Sequence, residues 1–167
     1  MTTLPRTNDV LVFALPNKTF GAMICAEITA KPNRSYRFVP VLGNWKQTPF
    51  MDDIRSSRFT AIHIASTMGR EKTAALQPGV ELFWDEDKSS PVFFIGLGEC
   101  MSLEKDWKNI APHVSKIGEL IIKPVFNSMG ALQYLESIEG LQNVFVDVEE
   151  YFKRFQWHSY PVDMICE

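Results

Sequence analysis

Along the first hundred residues, apolar runs of four to eight positions rich in Val, Ile and Phe alternate with clusters of Pro, Asn, Gly and Ser. Such alternation is the pattern of strands joined by turns. Val10 to Leu15 is the first run, Pro16 to Thr19 the first turn, and Phe20 to Thr29 the second run. In that second run Phe20, Ala22, Ile24, Ala26 and Ile28 share one parity, so the two segments predict a β-hairpin. Lys31 to Ser35 breaks the chain before a third strand, Tyr36 to Leu42, in which Pro40 predicts an edge or a bulge because proline donates no ladder hydrogen bond. Gly43 and Asn44 end it, leaving Trp45 in a loop. Thr48, Pro49 and Phe50 have the form of an N-cap with proline at the first helical position, and Phe50 and Ile54 lie four apart, which predicts a short helix. Arg58 to Ile64 resumes as strand. Ser66 to Gln77 is polar and carries neither period, while Gly79 to Trp84 and Pro91 to Leu97 predict a second hairpin around Asp85 to Ser90.

Beyond Glu99 the period changes. Leu103, Trp107 and Ile110 recur at helical spacing behind Ser102 as N-cap, and Pro112 marks the end of that helix. Ser128 to Glu139 sets Leu132, Leu135 and Ile138 on one stripe before Gly140 as a stop. Residues 144 to 156 carry the longest stripe, Val144, Val148, Tyr151, Phe152 and Phe155, with Glu149 opposite Lys153 and Glu150 opposite Arg154 on the outer face. Strands over 9–98 followed by helices over 102–156, with no repeat or linker between them, predict a single α+β domain over 1–167. Its expected core is a twisted antiparallel sheet or partly open barrel from the N-terminal half, packed with the C-terminal helices.

Composition narrows the class without choosing a function. At 46% hydrophobic and 22% charged residues, the 167-residue chain has ordinary globular usage, which argues against disorder. A net charge of −3 supplies no overall cationic field for phosphates, so nucleic acid is not an expected partner. Met1 to Asp9 shows no basic segment leading into an apolar one, and no stretch approaches the roughly 18 apolar residues of a membrane span. The expectation is a cytoplasmic protein that engages no membrane. Charge is nevertheless uneven: residues 1–60 hold eight basic and four acidic side chains, the remainder nine basic and 16 acidic.

Candidate chemistry is sparse. Cys25, Cys100 and Cys166 are widely spaced and form no Cys-x-x-Cys pair, which predicts reduced thiols, with Cys25 in the core and Cys166 frayed at the end. His63, His113 and His158 show no metal-ligand spacing; His63 reads as a structural residue of a strand and the other two as loop residues. There is no Gly-x-Ser-x-Gly elbow and no phosphate-binding P-loop, and Gly96-Leu97-Gly98 lacks the third glycine of a dinucleotide site. The sequence therefore predicts no catalytic residue, no cofactor and no metal. The alternative that keeps an enzyme in play is a small Mg²⁺-dependent nuclease or other hydrolase built from Asp52, Glu86 and Lys88, with the Asp85 to Lys88 turn supplying carboxylates. A generic protein-interaction module is the third reading. Residues 81–106 hold Glu81, Asp85, Glu86, Asp87, Glu99, Glu104 and Asp106 against Lys88 and Lys105, an acidic stretch able to steer a basic partner. Among the four tryptophans, Trp45 is the one expected at the surface.

Asn8, Asp9, the strand Val10 to Leu15, Pro16, Phe20 and Gly21 follow one another in an order that resembles the opening of a bacterial polymorphic-toxin immunity family, immunity protein 26. That family opens on Gly-Asp, an apolar strand, a proline-containing turn and an aromatic-Gly step; Asn8 stands here where the family has its leading glycine. Val92 to Gly96 is similar to a later apolar-Gly strand of the family, and Glu139 to Leu141 with the helix 144–156 resembles its C-terminal portion. The resemblance implies a cytoplasmic α+β protein without catalytic residues that binds and neutralises a cognate toxin domain. The residues predicted to meet a basic toxin are Asp85, Glu86, Asp87, Glu99, Glu104, Asp106 and Trp45.

Overall fold

The computed structural model describes residues 4–65, 92–97, 100–122, 133–154 and 158–167. In chain order these form β1 (Asp9–Ala14), β2 (Phe20–Ile28), β3 (Ser35–Trp45), α1 (Met51–Arg55), β4 (Arg58–Ala65), β5 (Val92–Leu97), β6 (Cys100–Leu103) and α2 (Glu104–Ile110). A 3₁₀ turn, Ala111–His113, leads into β7 (Val114–Glu119), followed by β8 (Gln133–Tyr134), α3 (Ile138–Phe145), α4 (Val148–Lys153), β9 (His158–Pro161) and a 3₁₀ turn over Val162–Met164. The fold is α+β. Among the described residues nine strands make one open sheet in the order β5-β4-β3-β2-β1-β7, with β6 on β3, β9 on β4 and β8 on β6. All pairings are antiparallel except the two-residue contact of β8 with β6.

The long apolar runs of β1 and β2 arise because the sheet is covered on both faces, so neither parity can be polar. Val10, Val12, Ala22, Ile24, Val39 and Val41 point to one side, where Ile54 of α1 and Val162, Ile165 and Cys166 close over them. Leu11, Phe13, Met23, Cys25, Tyr36 and Phe38 point to the other, beneath Trp107 of α2, Leu141 and Phe145 of α3, and Val148 and Phe152 of α4. A bulge between Cys25 and Glu27 resets the parity of β2, so Ala26 packs on the first face and Ile28 on the second, against the uninterrupted alternation expected. Pro40 is buried opposite Met23, at the place where the outer edge of β3 changes partner from β6, whose pairing ends at Phe38 of β3, to β4, whose pairing begins at Val41 of β3. No strand asks for its missing N–H there.

Turn chemistry explains the two hairpins. Lys18 takes a left-handed backbone, φ 63°, and Asn17 Oδ1 accepts from the Thr19 amide at 3.2 Å, closing β1 onto β2. At the β2–β3 turn the Ser35 amide donates to Thr29 Oγ1 at 2.7 Å while the Thr29 amide donates to the Ser35 carbonyl at 3.0 Å.

Several helix boundaries differ from expectation, each for a local reason. Phe50, not Thr48, is the N-cap of α1, because Asp53 Oδ2 accepts from the Phe50 amide at 2.8 Å and fixes the first turn one residue later. Ser102 lies buried in β6 and Leu103 precedes α2. In the described part of the predicted helix 128–139, Gln133–Tyr134 is strand and the helix begins only at Ile138, because Ser137 Oγ accepts from the Gly140 amide at 3.1 Å. Gly140 is therefore in the first turn of a helix rather than beyond the end of one. The helix expected over 144–156 is broken at Val146–Asp147, where Asp147 Oδ1 accepts from the Glu150 amide at 3.1 Å and starts α4 afresh. Val148 and Phe152 are buried as expected, while Phe155 is outside the described residues. Cys166 is not frayed: it bridges to Ile122 and is buried in the first core. Strand Gly79 to Trp84 and the polar segment Ser66 to Gln77 lie outside the described residues.

Candidate functional site

Of the residues expected to meet a toxin, Asp85, Glu86, Asp87 and Glu99 lie outside the described residues. Glu104 and Asp106 occupy the first turn of α2, half-buried, with exposed Lys105 between them. Carboxylates there also complement the positive end of the helix, which is sufficient structural cause for their presence. Trp45 departs from its expected loop: it is the last residue of β3, paired with Phe20, and packs half-buried against the first core. Its ring lies so close over Gly43 that a Cβ there would stand 2.8 Å from it. Phe50, 78% exposed at the start of α1, is the more open aromatic.

Glu104 belongs to a recess of ≈ 580 Å³ lined by Pro32, Asn33, Arg34, Leu103, Glu104 and Lys105. Its two walls are far apart in sequence and are joined by the antiparallel pairing of Ser35 with Leu103 and by the Glu104 amide, which donates to the Arg34 carbonyl at 3.0 Å. The recess carries mixed charge, since Arg34 and Lys105 stand around the Glu104 carboxylate. Behind it Tyr36 is buried, with its hydroxyl beside the Arg34 guanidinium. Burial raises the Tyr36 pKa, the Glu104 carboxylate raises it further, and the neighbouring Arg34 guanidinium acts in the opposite direction.

A second polar node sits at the start of β1. Asn8 holds a left-handed backbone, φ 77°, and its Oδ1 accepts from the Ile122 amide at 3.1 Å. Asp9 is buried; its Oδ2 accepts from the Arg6 amide at 2.8 Å, and its Oδ1 lies 2.8 Å from Lys116 Nζ. Lys116 also reaches Glu119 Oε1 at 2.6 Å. A cavity of ≈ 320 Å³ opens beside this node between Leu4, Leu11, Trp107 and Val114. Hydrogen bonds to Asp9 and then to Glu119 raise the Lys116 pKa above the ordinary lysine value.

The residues weighed for enzymatic chemistry are scattered. Asp52 is exposed on α1, and its proposed partners Glu86 and Lys88 lie outside the described residues. Cys25 and Cys100 are buried in the second core. His113 is exposed in the 3₁₀ turn after α2, and His63 and His158 fall on β4 and β9. Among the described residues no group of three or more His, Cys, Asp or Glu gathers as a metal site. No helix among them is long and apolar enough to cross a membrane. Arg34 and Tyr36 escaped sequence reasoning, which took them as the end of a turn and the start of a strand. Comparison with protein-family models, curated proteins and solved structures finds no match.

Proposed function

We propose that this chain is a cytoplasmic binding protein of the toxin-immunity type, neutralising a cognate bacterial toxin domain by direct contact and without catalysis. The observation that carries this reading is the backbone of Asn8. Its φ of 77° is one that glycine adopts freely and that asparagine tolerates best among the other residues. The one departure from the Gly-Asp opening of the immunity family thus keeps the conformation that a glycine there would serve. Gly21, the second motif position, likewise has a physical reason, because a Cβ there would stand 2.7 Å from the Phe13 ring. Both features are structural, so in this reading they build the scaffold and the contact surface lies elsewhere.

That surface is the acidic stretch ending in Glu104 and Asp106, extended by Asp85, Glu86, Asp87 and Glu99, and set against a toxin of opposite charge. The test pairs the purified chain with the toxin domain encoded beside it and measures association at two salt concentrations. Joint reversal, Glu104→Lys with Asp106→Lys, is expected to slow association and flatten its salt dependence while leaving dissociation nearly unchanged. Unaltered association would overturn the surface. Failure of the unmodified chain to bind the toxin or to protect cells expressing it would overturn the immunity reading.

A further inference from the structure

The recess between the Pro32–Arg34 turn and the start of α2 combines two observations that point to a small ligand. Its volume of ≈ 580 Å³ lies in the range of ligand pockets, which run from roughly 300 to 1,000 Å³. Its walls are held in register by the β3–β6 ladder and by the Glu104 amide on the Arg34 carbonyl, so they do not have to be ordered on binding.

The charges choose the ligand class. A simple anion placed against Arg34 and Lys105 would also face the Glu104 carboxylate, and a simple cation on Glu104 would face the two basic groups. A molecule carrying both signs satisfies all three. The outer edge of a guanidinium grips a carboxylate through two parallel hydrogen bonds, and a carboxylate accepts from an ammonium group. We propose that this recess binds a zwitterion of the amino-acid or short-peptide type, with its carboxylate on Arg34 and its ammonium on Glu104. Two basic groups against one acid leave room for a second carboxylate near Lys105, so acidic members of the class bind best and basic ones worst. This site stands independently of the toxin-binding reading.

The test is an NMR titration of the isotope-labelled full chain with L-glutamate, L-alanine, L-lysine, the dipeptide Ala-Glu, acetate, and L-glutamate blocked at both its amino and α-carboxyl groups. Saturable shifts are expected at the amides of Asn33 to Ser35 and Leu103 to Lys105, with glutamate or Ala-Glu tightest. Which of the two is tighter distinguishes a free amino acid from a peptide as the source. Arg34→Lys, which keeps the charge but loses the planar fork, and Glu104→Gln should each weaken binding about tenfold or more at unchanged melting temperature. Absence of saturable shifts with every probe in the tens of millimolar would overturn the proposal. So would acetate or the blocked glutamate binding as well as the free amino acid, or either variant binding glutamate normally.

Discussion

Gly21 lies in β2 directly beneath the edge-to-face contact of Phe13 with Phe145, whose ring centroids are 4.7 Å apart. A methyl group would stand 2.7 Å from Phe13 and 3.0 Å from Phe145, and both rings are buried. Gly21→Ala should therefore overpack this layer and cost about 1 to 3 kcal/mol, read as a lower urea midpoint at unchanged slope. Lys116 offers a titration with a definite sign. Its ammonium group is held between Asp9 and Glu119, and its pKa in the folded chain is raised by those bonds. The folded state then binds the proton more tightly than the unfolded chain does. The stabilisation is complete below the unfolded lysine pKa and is lost as pH rises through the folded one. Burial raises Tyr36 and Tyr151 as well, and a tyrosine proton held more tightly in the folded state gives a loss of the same sign. The measurement is thus a difference: Lys116→Met should lose less stability than the unmodified chain between neutral and strongly alkaline pH, and equal losses would contradict the assignment. Because Lys116 is substantially exposed, the effect should shrink in high salt.

At the scale of elements, α4 contributes Val148 and Phe152 to the second core, and Phe152 is fully buried. Phe152→Ala should cost about 3 to 5 kcal/mol by lost burial and a residual cavity, checked by equilibrium denaturation. An unmoved midpoint would show that α4 does not hold the sheet. The same element shows where sequence pattern reads well and where it does not. Its apolar stripe was legible from Val144 to Phe152, because packing against a sheet imposes the helical period on the buried residues whichever helix they belong to. The break at Asp147 was not, since an aspartate inside a periodic run reads as a solvated helix position until its side chain is seen capping the Glu150 amide. Ser137 hid in the same way, with Gly140 read as a stop although its N–H is the group that the cap satisfies. β1 and β2 were legible because burial on both faces demands apolar residues at every position, and β6 was not, being four residues long and followed at once by a helix. The recess was least legible of all. Arg34 and Glu104 meet only because Ser35 pairs with Leu103, and nothing local to either residue records that pairing.

For the whole molecule, the acidic excess after residue 60 and the basic excess before it meet, among the described residues, at one rim. Arg34 from the first part stands beside Glu104 from the second, so the described end of the acidic stretch is a mixed-charge rim. A toxin approaching it would meet Glu104 and Asp106 in the company of Arg34 and Lys105. A larger share of any steering then falls to Asp85, Glu86 and Asp87. Reversing Asp85 and Asp87 should consequently slow association more than reversing Glu104 and Asp106, as stopped-flow binding at low salt would measure. The two-faced sheet has a consequence in time. β1, β2 and β3 are complete by Trp45, but the side chains that cover them come mostly from 104–110, 138–153 and 162–166. A ribosome adding about 5 to 20 residues per second needs on the order of ten seconds to supply those covers. Throughout that interval the emerging hairpins hold apolar residues on both sides, the condition under which a newborn chain is open to aggregation and to capture by holding factors.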